Sequence, residues 1–574
     1  MIGTAVRYLI LSILGFGLLV SSVQADVWVC QQADGTQLYS DQNITGQCQP
    51  MAKPPSLQRA PSAQKPTPGS KAEREVLPIP KSRHEAASKS SAAVSGGIIQ
   101  IARAGQRAPN GNGIFSSIEL PIELGTPGLQ PRRLTKDGKV VFIAVLTGTP
   151  FGPDNQAICV GSPEAIIEIV RLGQPAPDGN GTFSSFNGVS IDNQGSGLVA
   201  FVSTLRGTER GFKDNTGIFL AHASRLDQIA RTNQAIPDGS GVFSSLEGLS
   251  LNSKGEVAFS GWVAGPSGTN DITRGLFIAR DGKLIQIART GRPSPDGAQM
   301  FSGFSDPVIN SKGQVAFVGY FVATTVDRQS GVFSANGAVY LWNGRSFDEI
   351  ARVGQTAPDG DGVFSEFGAP SLNDRGQLAF QSYLRETLGA RDTNGVYFAT
   401  GGVIKRIAKS GQPASDGNGA ISVYGYPRLN QEGHIVLPVT FTGTRGAGVD
   451  NSANFRWSEG AGLIQLLRSG DRALDGNGRI SGMGRPRINE RGQVTFDVSY
   501  TDTTRTTGII LNDGARTIEI ARAGQPVPDG NGKVLALSHP AINDRGQIAF
   551  FATLADTLRG NYDNSGVYIW SPSQ

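Results

Sequence analysis

Cysteine and histidine are scarce in this chain of 574 residues, which has three cysteines and four histidines. The histidines, His84, His222, His434 and His539, lie far apart in the sequence and share no local motif. A structural zinc site needs four closely placed ligands, and the sequence offers no such Cys/His group. The chain also lacks a Gly-x-Ser-x-Gly elbow and a phosphate-binding loop. We therefore predict no catalytic residue and no resident cofactor, with calcium as the one alternative considered below.

Charged residues make up 17% of the chain, and the large aromatics are limited to five tryptophans and eleven tyrosines. The net charge of +4 has a local origin, because positions 51–95 contain eight Lys and Arg against three Asp and Glu. The rest of the chain is close to neutral, which argues against a nucleic-acid surface. Sugar-binding aromatics would require exposed Trp or Tyr on loops, and these residues are few.

The first 25 residues have the features of a secretory signal peptide. A basic Arg7 precedes an apolar run from Tyr8 to Val20, and Val23, Gln24 and Ala25 form a small-residue cleavage motif. The run is too short for a retained bilayer span. We expect cleavage near Ala25, a periplasmic or extracellular protein, and no membrane anchor.

Export changes how the cysteines are interpreted, because thiols outside the cytoplasm tend to be oxidised. Cys30 and Cys48 bracket a short segment, and we expect a disulfide between them. Cys159 is left without a partner in the sequence and is expected to be a small buried residue.

Positions 26–50 predict a small β module, and positions 51–95 a disordered basic linker. In the module, alternating apolar residues around Trp28 lead to an Asp34-Gly35 turn and a second extended run at Tyr39. Together with Ser40 and Asp41, these residues resemble a small domain of unknown function at the N-termini of exported proteobacterial proteins. The linker is rich in Pro, Ser, Ala and Lys and has no apolar periodicity, which is typical of a flexible tether.

From position 98 onward a phrase recurs: a strand ending in Ile-Ala-Arg, then Gly-Gln, Pro-Asp-Gly-Asn-Gly and Phe-Ser-Ser. Eight copies follow at a period near 60 residues, marked by Asn110, Asp178, Asp238, Asp296, Asp359, Asp416, Asp475 and Asp529. Within the fifth copy, apolar runs at 362–373, 376–384, 395–400 and 403–412 are separated by turn residues. Each copy therefore predicts a four-stranded antiparallel meander.

Radial stacking of eight such meanders predicts an all-β fold, an eight-bladed β-propeller over positions 96–574. The chain enters the repeats on a fourth strand, at Ile98 to Gln106, and ends on a third, at Gly566 to Trp570. The N- and C-terminal strands should thus complete one blade and close the ring. The small disulfide-stapled hairpin module precedes the propeller.

The repeats resemble an uncharacterised family of bacterial secreted repeat proteins. The resemblance covers positions 98–570 and rests on two phrases, Gly-Gln-x-x-Pro-Asp-Gly at Gly354 to Gly360 and Asn-x-x-Gly-Gln-Val-Ala-Phe at Asn310 to Phe317. It implies a propeller-like fold and brings no known activity.

Successive hairpin turns of a blade alternate between the two faces of the disc. The Asp-Gly-Asn-Gly loops and the long loops between second and third strands should share one face, where binding residues are expected. The candidates are Asp214, Asn215, Asp392, Asn394, Asp450, Asn451, Asp563 and Asn564.

The Asp-Gly-Asn-Gly loops allow two interpretations. Their carboxylates could bind calcium, at Asp178, Asp238, Asp296, Asp359, Asp416, Asp475 and Asp529, although one loop supplies too few ligands. The favoured interpretation is an Asx turn, in which the carboxylate accepts backbone N–H groups and pairs with the Arg of the preceding strand. That pairing would join Arg231 to Asp238 and Arg352 to Asp359.

The regularity of all eight copies favours a monomeric, non-enzymatic binding or scaffolding propeller, with an unknown protein or glycan of the bacterial envelope as partner. One alternative is a polysaccharide-active lyase or hydrolase at the channel mouth, with carboxylates from different blades. The other is a calcium-stabilised lectin-like module.

Overall fold

The structure, a computed structural model, describes residues 28–31, 37–40, 48–50, 96–109, 111–119, 133–149, 155–192, 195–222, 225–265, 271–322, 336–387, 393–423, 425–446 and 448–573. For the first three ranges it describes the backbone only. The chain divides into two units, 1–90 and 91–574. The predicted signal peptide at 1–25 and linker at 51–95 lie outside the described residues.

The first unit contains a three-stranded antiparallel sheet in the order β2-β1-β3. Its strands are β1 (Trp28–Gln31), β2 (Gln37–Ser40) and β3 (Cys48–Pro50). The register places Cys30 opposite Cys48 on neighbouring strands. The side chains of these two cysteines lie outside the described part of the structure, and the disulfide stays a prediction.

The second unit is an eight-bladed β-propeller of antiparallel blades, as predicted. Blades 1 to 3 consist of β5 (Ile114–Glu119), β6 (Val140–Thr147), β7 (Asn155–Gly161) and β8 (Ile166–Arg171); β9 (Thr182–Ile191), β10 (Leu198–Arg206), β11 (Thr216–His222) and β12 (Arg225–Arg231); and β13 (Val242–Leu251), β14 (Val257–Ala264), β15 (Ile272–Arg280) and β16 (Lys283–Arg289).

In blades 4 to 7 the first of the four strands is broken in two, and both pieces pair with the second strand. The break contains Pro307, Pro370, Pro427 or Pro486, and proline cannot donate the N–H that a continuous ladder needs. The strands are β17 (Phe301–Phe304), β18 (Val308–Ile309), β19 (Val315–Phe321), β20 (Asn336–Trp342) and β21 (Phe347–Arg352); β22 (Val363–Phe367), β23 (Ser371–Leu372), β24 (Leu378–Arg385), β25 (Thr393–Thr400) and β26 (Val403–Lys409); β27 (Ala420–Val423), β28 (Arg428–Leu429), β29 (Ile435–Thr442), β30 (Ser452–Ser458) and β31 (Gly462–Arg468); and β32 (Arg479–Met483), β33 (Arg487–Ile488), β34 (Val494–Thr501), β35 (Thr507–Asn512) and β36 (Thr517–Arg522).

Blade 8 joins the two ends of the repeat region. It consists of β37 (Lys533–Ile542), β38 (Ile548–Ala555), β39 (Ser565–Pro572) and β4 (Gly96–Arg103), in that order. Strand β39 pairs with β4 through the register Ile569 opposite Ile99. The predicted ring closure is therefore confirmed.

The hydrophobic core lies between blades. One cluster joins Ile569 of blade 8 to Phe142 of blade 1, and another joins Ile158 of blade 1 to Phe201 of blade 2. The Phe residues of the repeated phrases are buried here, which explains their recurrence as packing.

A chain of hydrogen bonds also links the blades through the Asn-x-x-Gly turns. The Asn373 amide donates to the carbonyl of Asn430 at 3.0 Å, and that of Asn543 donates to the carbonyl of Thr135 across the ring closure. The turn Asn therefore fastens one blade to the next. Short 3-10 helices lie at Gly211–Lys213 and Gly560–Tyr562. None of the helices in the described residues could span a membrane.

Candidate functional site

The Asp-Gly-Asn-Gly loops are Asx turns. Asp178 Oδ1 accepts the backbone N–H of Asn180 at 3.0 Å. The equivalent bond, to the residue two places on, is made by Asp238, Asp296, Asp416, Asp475 and Asp529. The Asx-turn part of the favoured interpretation is confirmed at these positions, while Asn110 of the first copy lies outside the described residues.

The predicted pairing of these carboxylates with arginine is wrong by one blade. Arg231 binds Asp178 at 2.6 Å instead of Asp238, and Arg352 binds Asp296 at 2.5 Å instead of Asp359. Asp359 binds Arg406. The physical reason is that each loop folds back over the blade it enters. Its carboxylate therefore meets a basic residue of that blade's own fourth strand.

Three of the four predicted binding-face aspartates, Asp214, Asp450 and Asp563, lie inside a network that holds the loops together. Asp214 Oδ2 accepts the Asn180 side-chain amide at 3.0 Å, and Oδ1 accepts the backbone N–H of Arg210 at 3.2 Å. Burial raises the pKa of Asp214, but hydrogen bonds from Thr208 and Asn180 outweigh it and leave that pKa below its usual value. Asp214 therefore stabilises its loop.

Asp450 and Asp563 repeat this arrangement with Asn418 at 2.7 Å and Asn531 at 2.9 Å. Asp214 and Asp563 are buried and Asp450 is half-buried. Among the other candidates, Asn451 is exposed, Asp392 lies outside the described residues, and the half-buried ones are Asn215, Asn394 and Asn564. These side chains sit on separate blades, and no described contact brings them to one site.

A groove that we did not predict from the sequence runs across blades 3 to 6. It has a volume of about 340 Å³, and its polar and aromatic lining includes Arg274, Asp306, Tyr320, Glu366, Gln381, Tyr383 and Tyr426. We call it the tyrosine groove. Tyr383 is 46% exposed and stands on β24, not on a loop.

The groove has a signature in the repeats. In the second strand, the third residue after the recurrent Phe is aromatic in three consecutive blades, as Trp262, Tyr320 and Tyr383. The other blades carry small or aliphatic residues there, namely Val145, Thr204, Thr440, Ser499 and Thr553. This departure from eight-fold symmetry was visible in the sequence, but its meaning depends on the strands being neighbours around the ring.

One of the two groove carboxylates is engaged and the other is accessible. Asp306 is buried and accepts from Arg274 at 2.8 Å and from the Ser260 hydroxyl at 2.8 Å. Glu366 is exposed. Burial raises the pKa of Tyr320, and the Glu366 carboxylate adds to that effect, which places the two groups close together.

The groove thus combines aromatic rings with an exposed carboxylate, a side-chain amide and a guanidinium. Such a set can hold a ligand that has both an apolar face and hydroxyl groups. Within the described ranges, no group of three or more His, Cys, Asp or Glu residues could hold a metal ion.

Three overlapping segments of the chain, 84–336, 321–452 and 429–574, match one family model, described as a family of unknown function, DUF7453. None of the curated proteins compared with the chain matches it.

Similar solved structures include the β-propeller domain of the Trilobed protease from Pyrococcus furiosus, at 12% identity and a TM-score of 0.39 over 71% of this chain and 96% of that one. The Pyrococcus horikoshii acylaminoacyl peptidase is 10% identical, with a TM-score of 0.36 over 76% of this chain and 58% of that one. The Hadza microbial sialidase Hz136 is 9% identical, with a TM-score of 0.30 over 83% and 95%. At these values the likenesses carry no argument about activity.

Proposed function

The chain belongs to DUF7453, a family of unknown function, and we propose that its propeller is a non-enzymatic binding module that holds a glycan in the tyrosine groove. We further propose that it acts outside the cytoplasm, because residues 1–25 have the features of a signal peptide. The sequence left the partner open as a protein or a glycan, and we propose a glycan.

The observation that carries the proposal is the aromatic row on neighbouring strands, in which Trp262 and Tyr383 are exposed and Tyr320 is half-buried. Pyranose rings present C–H faces that stack on aromatic side chains, while their hydroxyls need hydrogen-bonding partners beside the ring. Tyr383 supplies an exposed ring, and Glu366 and Gln381 supply polar groups in the same groove. Tyr320 and Tyr426 extend the aromatic lining toward the neighbouring blades.

Binding without turnover is favoured by the state of the carboxylates. Glycoside hydrolysis usually requires a pair of carboxyl groups, one of which donates a proton. In the groove, the Asp306 carboxylate is 2% exposed and bound to Arg274, so it cannot reach a substrate. Glu366 is then the accessible carboxylate among the described residues of the groove lining.

The test is affinity electrophoresis and calorimetry of the full chain against a panel of soluble bacterial polysaccharides, with reducing ends measured in parallel. We expect one class to bind without release of reducing ends, and Tyr383→Ala to weaken binding about tenfold through lost stacking. Tyr562→Ala is the matched control, because Tyr562 is an exposed aromatic on a distant loop. Enzyme-dependent release of reducing ends, or no binding to any polysaccharide, would overturn the proposal.

A second candidate, protein scaffolding, is favoured by apolar tips on the loops that the aspartates hold. Phe212 is 95% exposed, Leu558 88% and Tyr562 76%. Exposed apolar side chains on ordered loops are suited to a protein interface. If a purified envelope protein binds the full chain and loses affinity with Phe212→Ser and Leu558→Ser but not with Tyr383→Ala, scaffolding is the better description.

A further inference from the structure

The first strands of neighbouring blades contact one another near the turns that follow them. These contacts join β18, β23, β28, β33 and β37 in order. The residue two places before the first position of the turn that follows the first strand differs in type from blade to blade. These eight equivalent residues are Arg133, Ser190, Ser250, Val308, Ser371, Arg428, Arg487 and Ala541. Arginine therefore occurs in blades 6, 7 and 1, which lie on both sides of blade 8.

Serine at this position has an evident structural task. Ser250 Oγ accepts the backbone N–H of Ile309, and Ser371 Oγ accepts that of Leu429, each at 3.2 Å and each in the next blade. A guanidinium has no acceptor and cannot replace this bond. The arginines are therefore not substitutes for the serine link between blades.

The three arginines line one cavity of about 150 Å³, together with the apolar residues Leu134, Leu429 and Ile542. We call it the arginine cavity. Arg133 is 3% exposed and Arg428 8% exposed. Burial, together with the smaller effect of the nearby Arg485 and Arg133, lowers the pKa of Arg428 to about 9. Like charges thus converge on side chains that are largely shielded from solvent.

Arg133 is the residue that points to a missing partner. Its Nε and Nη2 are buried and have no hydrogen-bond partner among the residues that the structure describes. Leaving buried charged donors without acceptors is costly, so proteins rarely keep such a group without a use for it. Both nitrogens lie on one edge of the planar guanidinium, and their parallel N–H groups can bind two oxygens of one anion.

The carboxylates at the rim of the arginine cavity already accept hydrogen bonds from backbone N–H groups. Asp544 Oδ1 accepts the backbone N–H of Glu490 at 3.0 Å, and Glu490 Oε2 accepts that of Gln431 at 2.5 Å. Lys136 adds a further positive charge to the lining, and Asp497 lies beside Arg487. His539 stands near the cluster, and its pKa is lowered to about 4 by burial and by Arg133 and Arg487.

We propose that the arginine cavity binds a small oxyanion, a phosphate or carboxylate group, held by Arg133 with Arg428 and Arg487. Planar guanidinium groups bind two oxygens of such an anion with parallel hydrogen bonds. The volume suits a tetrahedral or planar oxyanion and is too small for an oligosaccharide. The site is separate from the tyrosine groove and does not depend on the glycan proposal.

The test measures the thermal unfolding of the full chain in inorganic phosphate, acetate and chloride at matched ionic strength. Calorimetry measures the affinity of the chain for each anion. We expect phosphate or acetate to raise the Tm by several degrees while chloride does not. Arg133→Met should weaken that anion at least about tenfold, and Arg225→Met, on an outer strand edge, should not. Whichever of phosphate and acetate binds identifies the source of the oxyanion.

NMR titration of His539 gives a second readout, because a bound anion would offset the positive field and raise the pKa of this histidine above about 4. Arg133→Met should abolish the anion effect on that pKa. Equal Tm shifts with all three salts, or full anion binding by Arg133→Met, would overturn the proposal. If Arg133→Met is too unstable to assay, Arg428→Gln takes its place beside the His539 titration of the wild type. Weaker anion binding by Arg428→Gln would support the proposal, and full anion binding by this variant would overturn it.

Discussion

Arg231 and Asp178, 53 positions apart in the sequence, bind each other at 2.6 Å at the edge of blade 2. The same guanidinium donates to the backbone carbonyls of Asp214 and Asn180. It thereby joins the incoming loop, the loop between second and third strands and the fourth strand of a single blade. Arg468 with Asp416 and Arg103 with Asp529 repeat this relationship.

Replacing Arg231 with alanine should lower the free energy of unfolding by about 2 to 4 kcal/mol, since the buried Asp214, the half-buried Asn180 and the exposed Asp178 all lose the donor that they share. Urea unfolding measures the effect. Arg225→Ala is the control, because the Arg225 side chain is 78% exposed in its ion pair with Asp227, and its loss should cost less than about 0.5 kcal/mol. Equal effects of the two substitutions would show that the Arg231 contacts add nothing to stability.

Asn373→Ala should destabilise the propeller by about 2 to 4 kcal/mol. The buried Asn373 amide donates to the carbonyl of Asn430 in the next blade, and its oxygen accepts the backbone N–H groups of Arg375 and Gln377. Asn343→Ala is the matched control, because the exposed Asn343 closes a similar turn without reaching another blade. A loss for Asn343→Ala as large as that for Asn373→Ala would assign the effect to the turn and not to the link between blades.

Acid should remove the contribution of Asp563. Burial raises the pKa of this carboxyl, but hydrogen bonds from Thr557 and Asn531 outweigh burial, and the folded pKa lies below the ordinary value. The charged form is therefore favoured by folding, and its stabilisation is complete above about pH 5 and lost as the pH falls through the lowered folded pKa.

The measurement compares wild type with Asp563→Asn by urea unfolding from pH 6 to pH 2. The variant should be about 1 to 3 kcal/mol less stable at pH 6, and the difference should shrink toward zero at the acid end. Asp556→Asn, at an exposed aspartate, should match the wild type throughout. A difference for Asp563→Asn that persists unchanged at pH 2 would contradict the role of the charge.

Thiol counting should separate the three cysteines. Cys159 is fully buried, and burial together with the Glu168 carboxylate raises its thiol pKa. We expect iodoacetamide to label no cysteine in the native protein, one after denaturation and three after denaturation with reductant. Cys159→Ala should abolish the second signal. Three labelled thiols without reductant would show that Cys30 and Cys48 are not bonded to each other.

Much of the fold could be predicted from the sequence because its causes are local and repeated. Alternating apolar residues and Asn-x-x-Gly turns define the four strands of a copy, and the spacing of the aspartates counts eight copies. The Asx turns were also predictable, since an aspartate and the backbone two residues on need no distant partner. Ring closure followed from the strands that the two ends of the chain leave incomplete.

The sequence by itself therefore determined the architecture: an all-β propeller of eight four-stranded blades, with β4 and β39 completing one of them. Only the tertiary structure decided which arginine meets which aspartate, and that Asp214 and Asp563 hold loops instead of facing solvent. It also brought Arg133, Arg428 and Arg487 into one cavity, although Arg133 and Arg428 lie almost 300 positions apart. The physical reason is that the repeat specifies each blade locally, while closing the ring sets the distances between blades, and both candidate sites lie where several blades meet.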